Sequence, residues 1–285
     1  MPLVLDEAHW RERGRLHRDR IEPWVAPRRA RKLAGQSHPV DDFLFDYYPY
    51  SVAKLAAWHP GHGVTLLGDV DEFLERDDYE RSDGGATVRP LSDRLLPRLR
   101  MTVRLLRSTT TRAPHLGCFG LHEWAMVHRS DEARHAAYPL RLTANEIEAV
   151  IDDVGLRCTH IDAYRFFTPS AIPLNAHEPT RADQHEWEQP GCVHANMDLY
   201  KYAMWFTPQV PSELIADCFE LARVARDLDM RAAPYDLSSL GYVPVRVETN
   251  EGRRQYADEQ RGIFAIAERL RARLLSSIET LENKG

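Results

Sequence analysis

The chain has 285 residues, 43% of them hydrophobic and 28% charged, with a formal net charge of −6. That is room for one large core or two modest domains, and the acidic balance argues against a surface that grips nucleic acid all over. No apolar run reaches the roughly 18 residues that cross a bilayer, and the start, MPLVLDEAHWRERGRLHRDR, lacks the apolar segment of a secretory signal.

Residues 5–34 read as one helix, bent or broken near Pro23 and Pro27. HPVDDFLFDYYPYSVAKLAAWHPGHG follows as two short helices around Pro49, then VTLL (64–67) as a short strand. Residues 68–89, with Asp-Gly-Gly and many charges, read as an exposed loop or hairpin. A long helix is expected over 91–111, since Leu91, Leu95, Leu99, Val103 and Leu106 recur three or four apart. GCFGLHEWAMVHR (117–129) reads as a short buried helix or extended segment, and TANEIEAVIDDVG (143–155) as a helix with a Thr-x-x-Glu capping box and a terminal glycine.

RCTHIDAYRFFTPSAIPLN (157–175) reads as loop and strand, because Pro169 and Pro173 interrupt helices. Val193–Phe206 is expected to be helical, and a clear amphipathic helix begins at Pro211–Ser212. YVPVRVET (242–249) is the best strand candidate, and 250–282 forms a last long helix with Ile263, Ala267, Leu270 and Leu274 inward. With no repeat and no linker, the expectation is one mainly α domain over 1–285 with a few short strands, an α+β arrangement being the alternative.

Charge is uneven along the chain. Residues 11–32 and 89–112 are rich in arginine, and in the second stretch, which holds Arg104 and Arg107, Asp93 is the only acid. Such faces either steer an anionic partner or are solvent faces of two helices. Cys118, Cys158, Cys192 and Cys218 stand singly, which suggests free thiols in a reducing cytoplasm. A metal would have to draw on the 13 histidines and the carboxylates.

Three polar stretches sit in apolar surroundings. In GLHEWAMVH, His122 and Glu123 are adjacent, without the His-Glu-x-x-His spacing of zinc proteases, and on a helix they point about 100° apart. In CTHIDAYRFF, a strand would put His160, Asp162 and Tyr164 on one face, fit for metal binding, acid–base work or a structural network. In CVHANMDLYKYA, a helix stacks His194, Asp198 and Lys201, and Lys201 would keep Asp198 ionised. LDMRAAPYDLSSLG adds Asp229, Arg231, Tyr235 and Asp236.

FDYYPYSVAKLAAWHPGHG, GCFGLHEWAMVH, CTHIDAYRFFTPSAIPLN, QPGCVHANMDLYKYA and LDMRAAPYDLSSLG together resemble an actinobacterial protein family of about this length, commonly labelled 3-methyladenine DNA glycosylase. The resemblance runs from about residue 6 to about residue 280. It implies hydrolysis of the N-glycosidic bond of an alkylated base in damaged DNA, without a cofactor. HPGHG (59–63) is similar to the Pro-Gly-x-Gly turn of a helix-hairpin-helix, with His62 in place of a small apolar residue, and the aspartate of that arrangement would fall near Asp77 or Asp78.

Three functions follow. Base excision needs a carboxylate, Asp198 or Asp162, in an aromatic pocket, with Tyr47, Trp124, Tyr164 and Tyr200 as candidate rings, and Lys201, Arg104 and Arg107 for phosphates. A metal-dependent hydrolase or oxygenase on a small anionic metabolite would hold zinc or iron with His122, His160, Asp162, His194 and Asp198. A helical binding module would use the same groups as structural knots. Burying so many ionisable groups without function is costly, which favours an enzyme. The candidate catalytic groups are Asp198, His194, Asp162, His160 and Glu123.

Overall fold

The structure is a computed structural model and describes residues 3–130 and 137–282. Among these, twelve α-helices and one four-stranded sheet make the chain mainly α, as the apolar spacing predicts. Two compact units divide it. The first takes Met1–Arg104, Leu199–Glu220 and Leu270–Gly285, the second Leu105–Asp198 and Leu221–Arg269. Each is described in turn.

The first unit opens with β1 (Leu3–Leu5) and α1 (Glu7–Leu33). Asp6 caps α1 by accepting from the His9 amide. Trp10, Gly14, His17, Ile21 and Val25 form its buried stripe, at steps of three and four. The expected break at the prolines does not occur, and α1 is continuous through Pro23 and Pro27. The two lie four apart on an exposed face, so water can satisfy the carbonyls that lose their amide partners.

α2 (Phe43–Tyr47) and α3 (Val52–Ala56) precede β2 (Val64–Leu66). Residues 68–89 hold more order than an exposed loop: α4 (Asp71–Leu74), then β3 (Tyr79–Ser82) and β4 (Gly85–Val88) as a hairpin. Its turn residues, Asp83 and Gly84, both have positive φ (45° and 79°), the type I′ geometry that Asp-Gly favours. The sheet order is β1-β2-β4-β3, with β1 parallel to β2 and the other pairs antiparallel. Trp10, Trp58, Leu66, Phe73, Tyr79 and Val88 pack as its core. HPGHG leads into β2 and not into a second helix, which corrects the helix-hairpin-helix comparison.

α5 (Leu96–Thr110) starts five residues later than predicted, after a 3₁₀ turn at Asp93–Leu95, and buries Leu99, Val103 and Leu106 as expected. In the second unit, α6 (His122–Ala125) is buried throughout, and α7 (Ala144–Val154) carries the predicted Thr143–Glu146 capping box. Residues 157–175 hold no strand. Instead α8 (Ile161–Tyr164) follows His160, its N-terminal flanking residue. The Asn175 side chain bonds both the amide and the carbonyl of Cys158, groups a strand partner would need. α9 (Gln184–Trp187), α10 (Val193–Trp205), α11 (Ser212–Ala232) and α12 (Asn250–Glu279) complete the order. The strand expected over 242–249 is irregular chain. Pro244 has no amide to donate, and the Val245 amide goes to the Arg231 carbonyl.

Candidate metal centre

Three short chain segments and one helix end bring the polar residues of the second unit together. His122 opens α6 after a turn in which Phe119 and Gly120 both have positive φ. His160 stands just before α8, His194 is the second residue of α10, and Asp229 lies one turn from the end of α11. The His122 and His194 rings meet edge to face with centroids 4.3 Å apart, and the His160 and His194 rings stack at 5.3 Å.

Asp229 is the hub. Its Oδ1 lies 2.9 Å from His122 Nε2, and its Oδ2 lies 3.9 Å from His194 Nε2. The same Oδ2 accepts from Arg226 Nη1 at 2.7 Å, and that nitrogen also reaches Glu123 Oε1 at 3.2 Å. The hub is closed to water, with Asp229 at 0% exposure and Arg226 at 1%, while the His194 side chain is 16% exposed. So His122 and Glu123, which point apart on α6, enter one network because Arg226 and Asp229 span the gap.

Burial works against the charge on Asp229, but His122, His194 and Arg226 override it and hold its carboxyl far below the usual range. Burial likewise opposes a charge on His122, and Asp229 reverses the balance and raises its pKa. His194 moves well below the ordinary value, through burial and the neighbouring His122.

His122 Nε2 and Asp229 Oδ1 form a buried ion pair at 2.9 Å, although not an aligned hydrogen bond. Two ligands at metal bonds of about 2.0–2.2 Å stand about 3–3.5 Å apart, so the same spacing would also suit two donors to one cation. The donor atoms of His122, His194 and Asp229 lie within 4.8 Å of one another, as do those of a second trio, His160, Asp162 and Asp198.

In the second trio His160 Nε2 is 3.3 Å from Asp198 Oδ2 and 3.9 Å from Glu188 Oε2. Asp162 also receives Arg181 and, at 3.5 Å, Arg165. The His194–Asp198 spacing on α10 is therefore not an i,i+4 pair: His194 faces Asp229 and Asp198 faces His160. A void beside the histidines is lined by Cys118, Cys158, Cys192, His122, His194 and Arg157 among others, with about 20 Å³ open to water, enough for one molecule. Arg157 is the exposed cation among its lining residues. All four cysteines are unpaired, and burial raises the pKa of each thiol, to about 12 for Cys158.

The other expected residues lie elsewhere. Trp124 is fully buried and donates to the Ala232 carbonyl at 2.9 Å. Tyr200 is enclosed by the rings of Tyr48, Tyr50 and Phe219. Tyr47 stacks on Phe43, and Tyr164 packs edge-on against Phe167. The Lys201 ammonium lies over the rings of Tyr202 and Trp205. Arg104 and Arg107 are exposed on α5. Among the described residues, no helix is long and apolar enough to cross a membrane.

No protein-family model, curated protein or solved structure matches the chain. The reading of the centre therefore stands on its geometry.

Sequence reasoning did not place Asp229 and Glu188 in this centre. Asp229 carried a signal: Arg226 and Asp229, three apart, interrupt the apolar series Leu221, Ala222, Ala225, Leu228 of α11. Glu188, in EWEQPGC, carried none.

Proposed function

We propose that the chain is a metal-dependent hydrolase acting on a small anionic substrate, with His122, His194 and Asp229 as metal ligands. The observation that carries this is the convergence of the donor atoms of His122, His194 and Asp229 within 4.8 Å of one another, with Asp229 fully buried. Two histidines and one carboxylate suit zinc or ferrous iron. A divalent ion there would supply Lewis acidity and a water acidic enough to attack near neutral pH.

The chain's own groups set the rest. Arg226 holds Asp229 Oδ2, which leaves Oδ1 for the ion and fixes the carboxylate plane. The void beside the histidines admits one water, so the nucleophile has a place and bulk solvent is kept out. Arg157, exposed on the wall of the void, favours an anion. The four unpaired thiols support a reducing compartment, the cytoplasm.

The test is elemental analysis of protein purified without a metal-affinity tag, before and after reconstitution with zinc or iron. About one equivalent or more, reduced in His122→Ala and Asp229→Asn, supports the reading. Less than about a tenth of an equivalent after reconstitution overturns it. Release of free base from alkylated duplex DNA by chelator-treated protein would replace it with the N-glycosidic reaction that the family resemblance implies.

A further inference from the structure

We propose that Glu123 is a positioning residue of the centre, which acts through Arg226 to keep the charge of Asp229 available to the ion. This rests on the metal reading of His122, His194 and Asp229 and extends it to a residue outside the ligand set.

Three consecutive side chains of α6 reach α11. His122 Nε2 meets Asp229 Oδ1 at 2.9 Å, Glu123 Oε1 accepts from Arg226 Nη1 at 3.2 Å, and Trp124 Nε1 donates to the Ala232 carbonyl at 2.9 Å. None of these six residues is more than 6% exposed. Glu123 and Trp124 therefore hold the short α6 on the last two turns of α11, with the pair of ligands His122 and Asp229 between the same two helices.

One nitrogen, Arg226 Nη1, serves two carboxylates: Asp229 Oδ2 at 2.7 Å and Glu123 Oε1 at 3.2 Å. A guanidinium so near Asp229 competes with a cation for the charge of that carboxylate, and burial strengthens the competition. Glu123 engages the same nitrogen and so weakens its hold on Asp229. The charge of Glu123 also reaches a ligand directly. Against burial, Asp229 and then Glu123 raise the pKa of His122. Whatever other charges lie in the unit, Glu123→Gln removes one negative charge beside His122 and leaves more of the guanidinium to Asp229.

A clasp is the competing role, in which Glu123 only fastens α6 to α11. Trp124 separates the two. Its bond to the Ala232 carbonyl does not depend on the charge of Glu123, so α6 stays seated when that charge is gone. Glutamine keeps an oxygen that accepts from Arg226, so the shape and the hydrogen bond both survive. What changes is the field at the ligands. Residues that orient and tune metal ligands typically alter affinity by about 10–100-fold.

The experiment is Zn²⁺ binding by the full chain. Chelator-treated wild type, Glu123→Gln and Glu123→Asp are titrated against a competing chelating dye, at a temperature where each is folded. Glu123→Gln should bind Zn²⁺ about 10–100-fold more weakly, and Glu123→Asp, which keeps the charge, within about threefold of wild type. With Co²⁺ in place of Zn²⁺, the visible spectrum of Glu123→Gln should match wild type, because the ligands are the same. Equal weakening in both variants overturns the charge role, as does wild-type affinity in Glu123→Gln beside a lower melting point in chelator. An altered Co²⁺ spectrum overturns it as well, since Glu123 would then be a ligand or displace one. If Glu123→Gln does not fold, Glu123→Asp decides: a loss of about tenfold or more despite the retained charge refutes the role. Wild type that takes up neither Zn²⁺ nor Co²⁺ overturns the metal reading, and this role with it.

Discussion

Asp229→Asn separates what Asp229 does for the fold from what it does for a metal. The substitution keeps the shape and one carbonyl oxygen but removes the charge. In metal-free protein it loses the charge-assisted bond from Arg226 at 2.7 Å. Bonds of that kind contribute about 1.5–3 kcal/mol. Arg226 keeps Glu123 at 3.2 Å, so the guanidinium is not stranded and the loss stays below the ~3–5 kcal/mol of a fully broken buried pair. A chain of this length shifts by about 2 °C per kcal/mol, so the variant should melt about 3–6 °C below wild type in chelator. Metal at a hundred times its dissociation constant should then stabilise wild type by about 2.7 kcal/mol, or about 5 °C, and the variant hardly at all. Calorimetric melts of both proteins, in chelator and in Zn²⁺, read the two effects separately. An equal metal-induced gain in both proteins would refute Asp229 as a ligand. Equal melting points in chelator would refute the role given to its bond with Arg226.

Other predictions bear on the scaffold. His59 is buried against Tyr79, whose hydroxyl stands 2.8 Å from His59 Nδ1, and burial lowers its pKa to about 3. Its neutral form is the folded one, so stability is full above the unfolded value of about 6.5 and falls as pH drops from there toward 3. At pH 5 that costs about 2 kcal/mol, and His59→Gln should remove this part of the difference between urea melts at pH 7 and pH 5. Two glycines of α12 should respond with opposite sign. A Cβ at Gly252 would stand 1.9 Å from the Arg246 carbonyl oxygen, so Gly252→Ala should cost about 3 kcal/mol or more in urea unfolding. Gly262 is exposed with nothing within 4 Å, so Gly262→Ala should stabilise by about 0.5–1 kcal/mol in the same measurement. Trp124→Phe loses the bond to the Ala232 carbonyl and leaves a void, and should lower stability by about 1–3 kcal/mol.

What the sequence made legible was local. The capping box of α7, the apolar stripes of α5 and α12 and the Asp-Gly turn of the β3–β4 hairpin each depend on residues within one turn or one hairpin. The misjudged segments were decided by distant partners. Val245 and Val247 alternate as a strand would, but the Val245 amide is taken by the Arg231 carbonyl, and among the described residues no strand pairs with them. His160 and Asp162 were expected together on a strand. They do come together, through a single helical turn whose start is fixed by Asn175. The convergence of His122, His160 and His194 was posed by the apolar setting of their three segments. Asp229, about 35 residues further on, is tied to them only through the packing of α11.

The same groups could be a polar knot that holds the unit together, and metal retention by the purified protein decides between the two. A structural network closes its hydrogen bonds, because each buried donor or acceptor left open costs about 1–3 kcal/mol. Gln260 donates to the Gly191 carbonyl at 2.7 Å while its Oε1 makes no hydrogen bond, and His17 Nδ1 in the first unit is open as well, so an open atom alone does not mark a site. Glu123 Oε2, His160 Nδ1 and the Tyr256 hydroxyl are buried and open within the second unit. A fold that needed only a knot would gain by closing them. Open atoms beside the buried Asp229 fit the proposed cation site, where a fold would give up stability for binding.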